Sequence, residues 1–211
     1  MNIVDPKTSA NDVHSESEPK SSNRKDKILK SAVRTFARYG FRGSTTKRLA
    51  KDARISEALV YRYFSSKAEL FDAVLDYLVS RAPQIKESEK GSLQDRALLA
   101  DLAGRIHSHF SRNPEELRLL LFAGLQGHTL AAEYFQRQVK GYYQLVIDRV
   151  RGGCEEGIYK EIPPALAARV FIGMVHYHVM IQSLFKDPVL PAPDVNWAES
   201  FVDIFLSGIR R

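Results

Sequence analysis

The sequence predicts an all-α fold of about nine helices, arranged as a small N-terminal domain and a larger C-terminal domain. Three observations support this fold class. Apolar residues recur at three- and four-residue spacing along most of the chain, as they do in helices packed on one side. Residues that start helices (Ser, Thr, Asn) and residues that end them (Gly, Pro) separate these stretches at short intervals. No stretch longer than a few residues alternates apolar and polar side chains as a strand does.

The composition is that of a globular protein with its own core, because 44% of its 211 residues are hydrophobic. The single cysteine, Cys154, excludes an intrachain disulfide framework and a cysteine-cluster metal site. The N-terminus has no apolar signal segment, and the longest charge-free apolar run, Val170 to Phe185, is short and polar for a membrane span. We therefore expect a cytoplasmic protein without a membrane segment, a metal or another cofactor.

Positive charge is concentrated in one segment of the chain. Residues 24–67 hold 13 Lys and Arg against 3 Asp and Glu, whereas the whole chain has a net charge of only +6. Such a local excess of basic side chains is typical of a surface that binds a phosphate backbone.

The first predicted domain spans residues 23–82 and follows a polar, Ser-rich tail, residues 1–22, that we expect to be disordered. Its first helix is predicted to begin at Asn23, with Asp26 three residues on, and to end at Gly40. Three further helices are predicted from their capping residues, which are Thr45, Ser56, and Ser66 in a capping box with Glu69.

The second predicted domain spans residues 83–211 and begins with a polar hinge. Its five helices are predicted from apolar stripes and start signals: one around 98–110, one from Pro114, one from about Thr129 to Gly157, one from Pro164 to Phe185 and one at about 194–209. The pair Gly152-Gly153 leaves open an earlier end for the third of these.

Two short helices joined by a tight turn predict a helix-turn-helix, whose second helix (residues 56–62) enters the major groove of DNA. Val60 is expected to face the core, and the outward residues are expected to meet DNA. Arg62 suits guanine or a phosphate, and Leu59 suits a thymine methyl group. The outward set is Ser56, Glu57, Leu59, Tyr61, Arg62 and Tyr63. Glu57 either accepts from a cytosine amino group or repels non-specific sequence.

Lys67 stands at the first position of the fourth predicted helix, where the helix dipole disfavours a cation. A DNA phosphate nearby would relieve this, since helix N-termini attract phosphate. The same argument applies to Thr45, Thr46 and Lys47 at the start of the second helix. The simpler alternative is a solvated basic face on an ordinary three-helix bundle, which the agreement of charge, caps and turn disfavours.

The run from Phe36 to Leu70 resembles the TetR family of bacterial transcriptional regulators, and it keeps that family's spacing without insertion. The residues that carry the resemblance are Gly40, Thr45, Thr46, Leu49, Ala50, Ala53, Ile55, Ser56, Val60, Tyr61, Phe64 and Lys67. The ending 202–209 resembles the family's last helix. The resemblance implies a homodimer in the bacterial nucleoid whose C-terminal domain senses a small molecule and usually releases a double-stranded DNA operator. It also implies that Thr45, Thr46, Tyr61 and Lys67 contact phosphates and that residues 57–62 read bases.

One position departs from that family. Arg54 lies in the turn between the second and third helices, where the family commonly has Gly. If this residue is left-handed, Arg costs roughly 1 kcal/mol more than Gly.

The last two predicted helices are the expected dimer surface, because the first of them is apolar nearly all round and should be covered on more than one side. The residues assigned to the interface are Phe171, Val175, Val179, Phe201 and Phe205. The alternative is a single buried core helix in a monomer.

The effector pocket is expected among aromatic and polar residues on apolar faces of the second domain. These are His109, Phe110, Phe122, Gln126, Tyr142, Tyr143, His178 and Gln182. Their aromatic character favours an apolar or aromatic small molecule, although each alone is more often a core residue. The pairs His107/His109 and His176/His178 cannot chelate a metal by themselves, because residues two apart on a helix point roughly 200° apart.

The sequence fits three function classes to different degrees. A ligand-responsive transcriptional regulator, most often a repressor, fits best. The alternative is an architectural or chromosome-organising DNA-binding protein without a small-molecule effector. An enzyme is disfavoured, because the sequence shows no nucleophile and base pair, phosphate-binding glycine loop or metal-ligand spacing.

Overall fold

The computed structural model describes residues 18–83, 95–185 and 196–211, and the side chains from Asn23 onward within them. These ranges form nine helices and one isolated β-bridge, between Tyr159 and Arg210. The helices are α1 (Glu18–Gly43), α2 (Thr46–Ala53), α3 (Glu57–Tyr63), α4 (Lys67–Arg81), α5 (Asp95–Arg112), α6 (Pro114–Leu125), α7 (Thr129–Tyr134, a π-helical turn Phe135–Val139, then Lys140–Glu155), α8 (Pro164–Met180 and a π-helical turn Ile181–Phe185) and α9 (Trp197–Ile209). The predicted all-α class is confirmed.

Helix α1 begins at Glu18, five residues before the predicted start, so Asn23 lies inside it and is not its N-cap. Pro19 is compatible with this earlier start. Backbone amides in the first turn of a helix have no partner within the helix, so the amide hydrogen that proline lacks is not needed there. The rest of the predicted tail lies outside the described residues. Gly40 interrupts the helix as predicted, with φ 68° and ψ 175°.

The predicted caps of the next three helices are confirmed. Thr45 Oγ1 accepts from the Arg48 amide at 3.2 Å, Ser56 Oγ from Leu59 at 3.2 Å and Ser66 Oγ from Glu69 at 3.1 Å. The capping box differs in one detail, because the Glu69 carboxylate accepts from the amide and hydroxyl of Ser65, one residue earlier than expected. Each cap side chain accepts a hydrogen bond from a backbone amide of the first turn that would otherwise have no partner. These hydrogen bonds help such short helices to form.

Two hydrophobic cores hold the helices together. The first is formed by α1 to α4 around Phe36 and Leu70, and it also takes in Leu119 from α6 and Leu130 from α7. The second is formed by α5, the later part of α7, α8 and α9. The helix-turn-helix region therefore packs directly on α6 and on the start of α7.

Helix α7 differs from the regular helix that was predicted. Phe135, which was expected on its apolar stripe, is 43% exposed. The π-helical turn at this residue adds to the residues per turn, so the stripe rotates away from it. Gly152 and Gly153 do not end the helix, which continues to Glu155, and Gly157 follows its end with φ 74°.

One helical stretch, Pro164–Phe185, is long and apolar enough to cross a membrane. Its inward face packs in the second core, where Phe171, Val175 and Val179 are fully buried. A core helix of a globular protein passes the same length and composition test, so this stretch carries little evidence for a membrane.

Candidate nucleic-acid interface

The turn between α2 and α3 sets the position of the reading helix. Arg54 adopts a left-handed conformation (φ 55°, ψ 49°), and the next amide, Ile55, donates to Ala50 O at 3.0 Å. Val60 is 1% exposed and packs the inner side of α3 into the first hydrophobic core, and Phe64 is buried there just after the helix. The opposite side of α3 therefore faces outward, as the sequence predicted.

The ten predicted DNA contacts lie on this outer side to different degrees. The exposed ones are Thr45, Lys47, Ser56, Tyr61 and Arg62. The half-buried ones are Thr46, Glu57, Leu59, Tyr63 and Lys67. Their exposure leaves them available to DNA but does not by itself identify contacts.

A side-chain network that the sequence did not predict joins α2 to α3. The Thr46 hydroxyl contacts a Glu57 carboxylate oxygen and lies 3.1 Å from the Tyr61 hydroxyl. Because a carboxylate only accepts, Thr46 donates to Glu57 and Tyr61 donates to Thr46. Glu57 is thus engaged within the protein, and it holds the Tyr61 side chain in place on the outer face.

The surroundings of Lys67 differ from those expected for a residue that needs a DNA phosphate. Its ammonium donates to Phe41 O at 2.9 Å and Ser44 O at 3.1 Å, and lies 4.3 Å from the centre of the Phe41 ring. Carbonyls at a helix C-terminus attract cations. The end of α1 therefore already offsets the unfavourable dipole of α4, and no DNA phosphate is needed for that purpose.

Arg48 belongs to the same basic surface and was not predicted as a site residue. Its guanidinium lies 4.1 Å from the centre of the Tyr39 ring and donates to Gly43 O at 3.2 Å. It is exposed at the start of α2, beside Thr45 and Lys47. The local charge excess was its only signal in the sequence, and that signal does not single out one arginine.

The eight predicted pocket residues have different surroundings in the structure. Phe122 and Gln126 face Gly40, Tyr142 donates to Pro83 O at 2.6 Å, and His178 stacks on Trp197 at 4.3 Å between ring centres. The remaining four are His109, Phe110, Tyr143 and Gln182, of which only Phe110 is fully buried in the core. Neither of the two cavities described below is lined by any of the eight.

Four of the five residues predicted for the dimer surface are buried in this chain's own core. Phe171, Val175 and Val179 are fully buried and Phe205 is 5% exposed, all within this chain's own core, and Phe201 is half-buried. Positions one to five residues away carry the outward apolar face: Leu166, Val170, Tyr177 and Ile204 are 50% to 66% exposed. An apolar groove of about 330 Å³ runs along this face between α8 and α9.

The histidines of the two pairs come together in only one place among the described residues. His107 and His178 approach to 5.6 Å between ring centres, whereas His128 lies elsewhere, against Phe41 and Phe71. Among the described residues, no three potential ligands gather closely enough to hold an ion.

Comparison with known proteins agrees with this architecture. Residues 28–74 match the family model described as bacterial regulatory proteins, tetR family. The chain is 26% identical over 196 residues to the HTH-type transcriptional repressor NicS of Pseudomonas putida, covering 89% of this chain and 92% of that protein. It is 29% identical over 167 residues to the nucleoid occlusion factor SlmA of Aliivibrio fischeri, covering 74% and 82%.

A solved structure supports the fold alone. The TetR family transcriptional regulator PfmR from Thermus thermophilus superimposes with a TM-score of 0.63 at 20% identity, covering 87% of this chain and 99% of that one. The matched helix-turn-helix region, the all-helical architecture and the named regulators together identify the class. The chain belongs to the TetR family of bacterial regulatory proteins, and it is a DNA-binding transcriptional regulator rather than an enzyme.

Proposed function

We propose that this protein is a repressor that binds a palindromic operator as a homodimer and leaves it when a small molecule binds residues 83–211. The observation that carries the proposal is the basic outer face of α2 and α3, within the segment that holds 13 Lys and Arg against 3 Asp and Glu. Residues 23–82 form the DNA-binding domain in this account, and the protein works in the cytoplasm, on the nucleoid.

In this proposal α3 lies in the major groove. Arg62 reads a base edge, and Tyr61 and the α2 start (Thr45 to Lys47) contact phosphates. Glu57 acts on Tyr61 through Thr46, since the three side chains are joined by hydrogen bonds. Lys67 has a structural role first, because two of its three donors are already used by the carbonyls of Phe41, in the last turn of α1, and Ser44, just after it.

The homodimer forms through the outward face of α8 and α9. Leu166, Val170, Tyr177 and Ile204 form an exposed apolar surface next to the groove of about 330 Å³. Such a surface is unfavourable in water, and the same face on a second copy would cover it as a four-helix interface. A two-fold dimer would place two α3 helices about 34–36 Å apart, or further, on a palindrome.

The DNA proposal is tested by measuring binding to DNA from upstream of the protein's own gene. Arg62→Ala should weaken binding and reduce base discrimination by about 1–3 kcal/mol, whereas Tyr61→Phe should weaken binding evenly across sequences. Arg118→Ala, at an exposed position on α6, is the matched control. Unchanged affinity in both α3 variants would remove α3 from the interface.

The dimer proposal is tested by sedimentation of Val170→Glu and Ile204→Glu. Each places a charge in the apolar face and should shift the protein toward monomer. Leu125→Glu is the control, because Leu125 is 89% exposed on α6, away from this face. A dimer that survives both changes would overturn this choice of interface.

The repressor assignment draws support from the similarity to NicS, which is named a transcriptional repressor. The aromatic residues of α5 to α8 favour an apolar or aromatic effector. Screening such compounds against the protein–operator complex tests this part, and a transcript that rises when the gene is deleted would establish repression.

A second function is favoured by one observation. SlmA, at 29% identity over 82% of its length, is named a nucleoid occlusion factor. The alternative is therefore a chromosome-organising DNA-binding protein without a small-molecule effector. The number of genomic sites separates the two, since a local repressor occupies a few operators and an architectural protein occupies many.

A further inference from the structure

A polar cavity lies where the DNA-binding helices meet the C-terminal domain. Its volume is about 290 Å³, at the small end of the range for small-molecule sites. Its walls come from α1 and α4 on one side and from the start of α6 on the other. The lining residues are Lys30, Val33, Arg34, Tyr77, Arg81, Asn113, Glu115 and Glu116.

The two acidic residues of the cavity, Glu115 and Glu116, differ in whether their carboxylate oxygens already have partners. Glu116 is 5% exposed, and both of its carboxylate oxygens are engaged, by Arg81 at 3.3 Å and by His109 at 2.9 Å. The His109 contact is at ion-pair distance and is not an aligned hydrogen bond. Because Glu116 is already paired, Glu115 is the only acceptor among the charged lining groups that has no described partner.

Hydrogen-bond donors are in excess around this space. Arg34 is exposed, and none of its five donors is used by another described residue. Lys30 uses one donor on Asp26 at 2.7 Å and keeps two. Burial raises the pKa of Tyr77, which therefore remains a phenol and can donate.

Arg81 is fixed as part of the wall. Its guanidinium lies 5.1 Å from the centre of the Tyr77 ring, and it donates to Asn113 Oδ1 at 3.2 Å as well as to Glu116. A planar guanidinium held in this way presents its remaining donors in a fixed direction, which suits a carboxylate or phosphate group.

We propose that this junction cavity binds a small, acceptor-rich organic anion, a carboxylate or a phosphate ester, through Arg34, Lys30 and Tyr77. The site is separate from the apolar effector pocket proposed above and does not depend on it. Because its walls belong to α1, α4 and α6, a bound anion holds the DNA-binding helices against the C-terminal domain and stabilises the whole chain.

Calorimetric titration of the full-length protein without DNA tests the proposal, with citrate and inorganic phosphate as separate probes at about 150 mM salt to screen non-specific attraction. Arg34→Gln should weaken binding by about tenfold, a difference of about 1.4 kcal/mol. Arg38→Gln is the matched control, because Arg38 lies one turn further along α1, outside the cavity and beside Tyr39. Lys30→Gln is a second variant should Arg34→Gln fold poorly.

Binding of citrate alone would assign carboxylates, binding of phosphate alone would assign phosphate esters, and either result with the expected Arg34 dependence supports the site. Two results would overturn it. One is no binding of either anion up to roughly 10 mM. The other is equal weakening by Arg34→Gln and Arg38→Gln, which would mean that the anion binds the basic surface in general. Operator binding plays no part in this measurement, so its outcome is independent of the proposed repressor function.

Discussion

The helix-turn-helix region and the C-terminal domain differ in how far their local sequence determines the position of each side chain. In the first region, Thr45, Ser56 and Ser66 cap their helices as predicted, and Arg54 is left-handed as suspected. In the second, predicted pocket and dimer residues such as Phe110 and Phe171 are buried in the chain's own core. The difference shows that capping and turn chemistry act over three or four residues, whereas the use of an aromatic side chain depends on helices far away in sequence.

The largest change in the free energy of unfolding is expected at one of two neighbouring glycines of α7, Gly153, and not at the other, Gly152. A Cβ on Gly153 would stand 2.1 Å from the Tyr159 ring, whereas one on Gly152 would meet nothing within 4 Å. Tyr159 is 3% exposed and cannot easily move. Gly153→Ala should therefore lower the free energy of unfolding by about 3 kcal/mol, and Gly152→Ala should raise it by up to about 1 kcal/mol. Urea denaturation of both variants measures the pair, and equal effects would show that the Tyr159 packing is wrong.

The next effect lies at the contact between the two regions. Gly40 has φ 68°, and a Cβ there would stand 2.6 Å from Phe122 Cε1. Gly40→Ala should cost about 2 kcal/mol, from the left-handed backbone and the crowded ring together. Thermal unfolding measures the loss. Adding Phe122→Ala tests the cause, because the double variant should lose less than the sum of the two single ones; strict additivity would mean that backbone strain alone is responsible.

A smaller effect of opposite sign is expected at the turn. Arg54 has φ 55°, a conformation that Gly adopts without cost. Arg54→Gly should raise the free energy of unfolding by about 1 kcal/mol and raise the Tm. Arg54→Ala is the control, since alanine keeps the left-handed strain, and a Tm for Arg54→Gly no higher than that of Arg54→Ala would contradict the account.

The smallest effect concerns pH in the C-terminal domain. Burial lowers the pKa of His107, His176 and His178 below the ordinary value of 6.5. Below pH 6.5 these histidines bind protons more readily in the unfolded chain than in the folded one. Their contribution to the free energy of unfolding is therefore fully present above pH 6.5 and is lost as the pH falls. His178→Phe keeps an aromatic ring against Trp197 and should lessen the loss of Tm between about pH 7 and pH 5. A variant with the same pH dependence as the wild type would exclude His178 as a contributor.

The parts that could be predicted are those governed by local chemistry. Helix number, the start of α4 at Ser66 and the end of regular α1 at Gly40 follow from caps and glycines. The outward face of α8 could not be predicted, because a helix that is apolar all round gives no hint of which side, Phe171 or Val170, its own domain covers. The Thr46–Glu57–Tyr61 network was missed because it joins two helices across the turn, and the π-helical turn in α7 has no marker in its sequence.

The central claim, that the α2–α3 face gives sequence-specific binding to a few operators, is tested most directly by genomic capture. Fragmented genomic DNA from the source organism is incubated with the purified protein and with Arg62→Ala, and the bound DNA is sequenced. The account predicts a few strong peaks that share an inverted repeat, one of them beside the protein's own gene, and their loss in the folded variant. Many weak peaks without a shared repeat, or peaks that Arg62→Ala leaves unchanged, would contradict it.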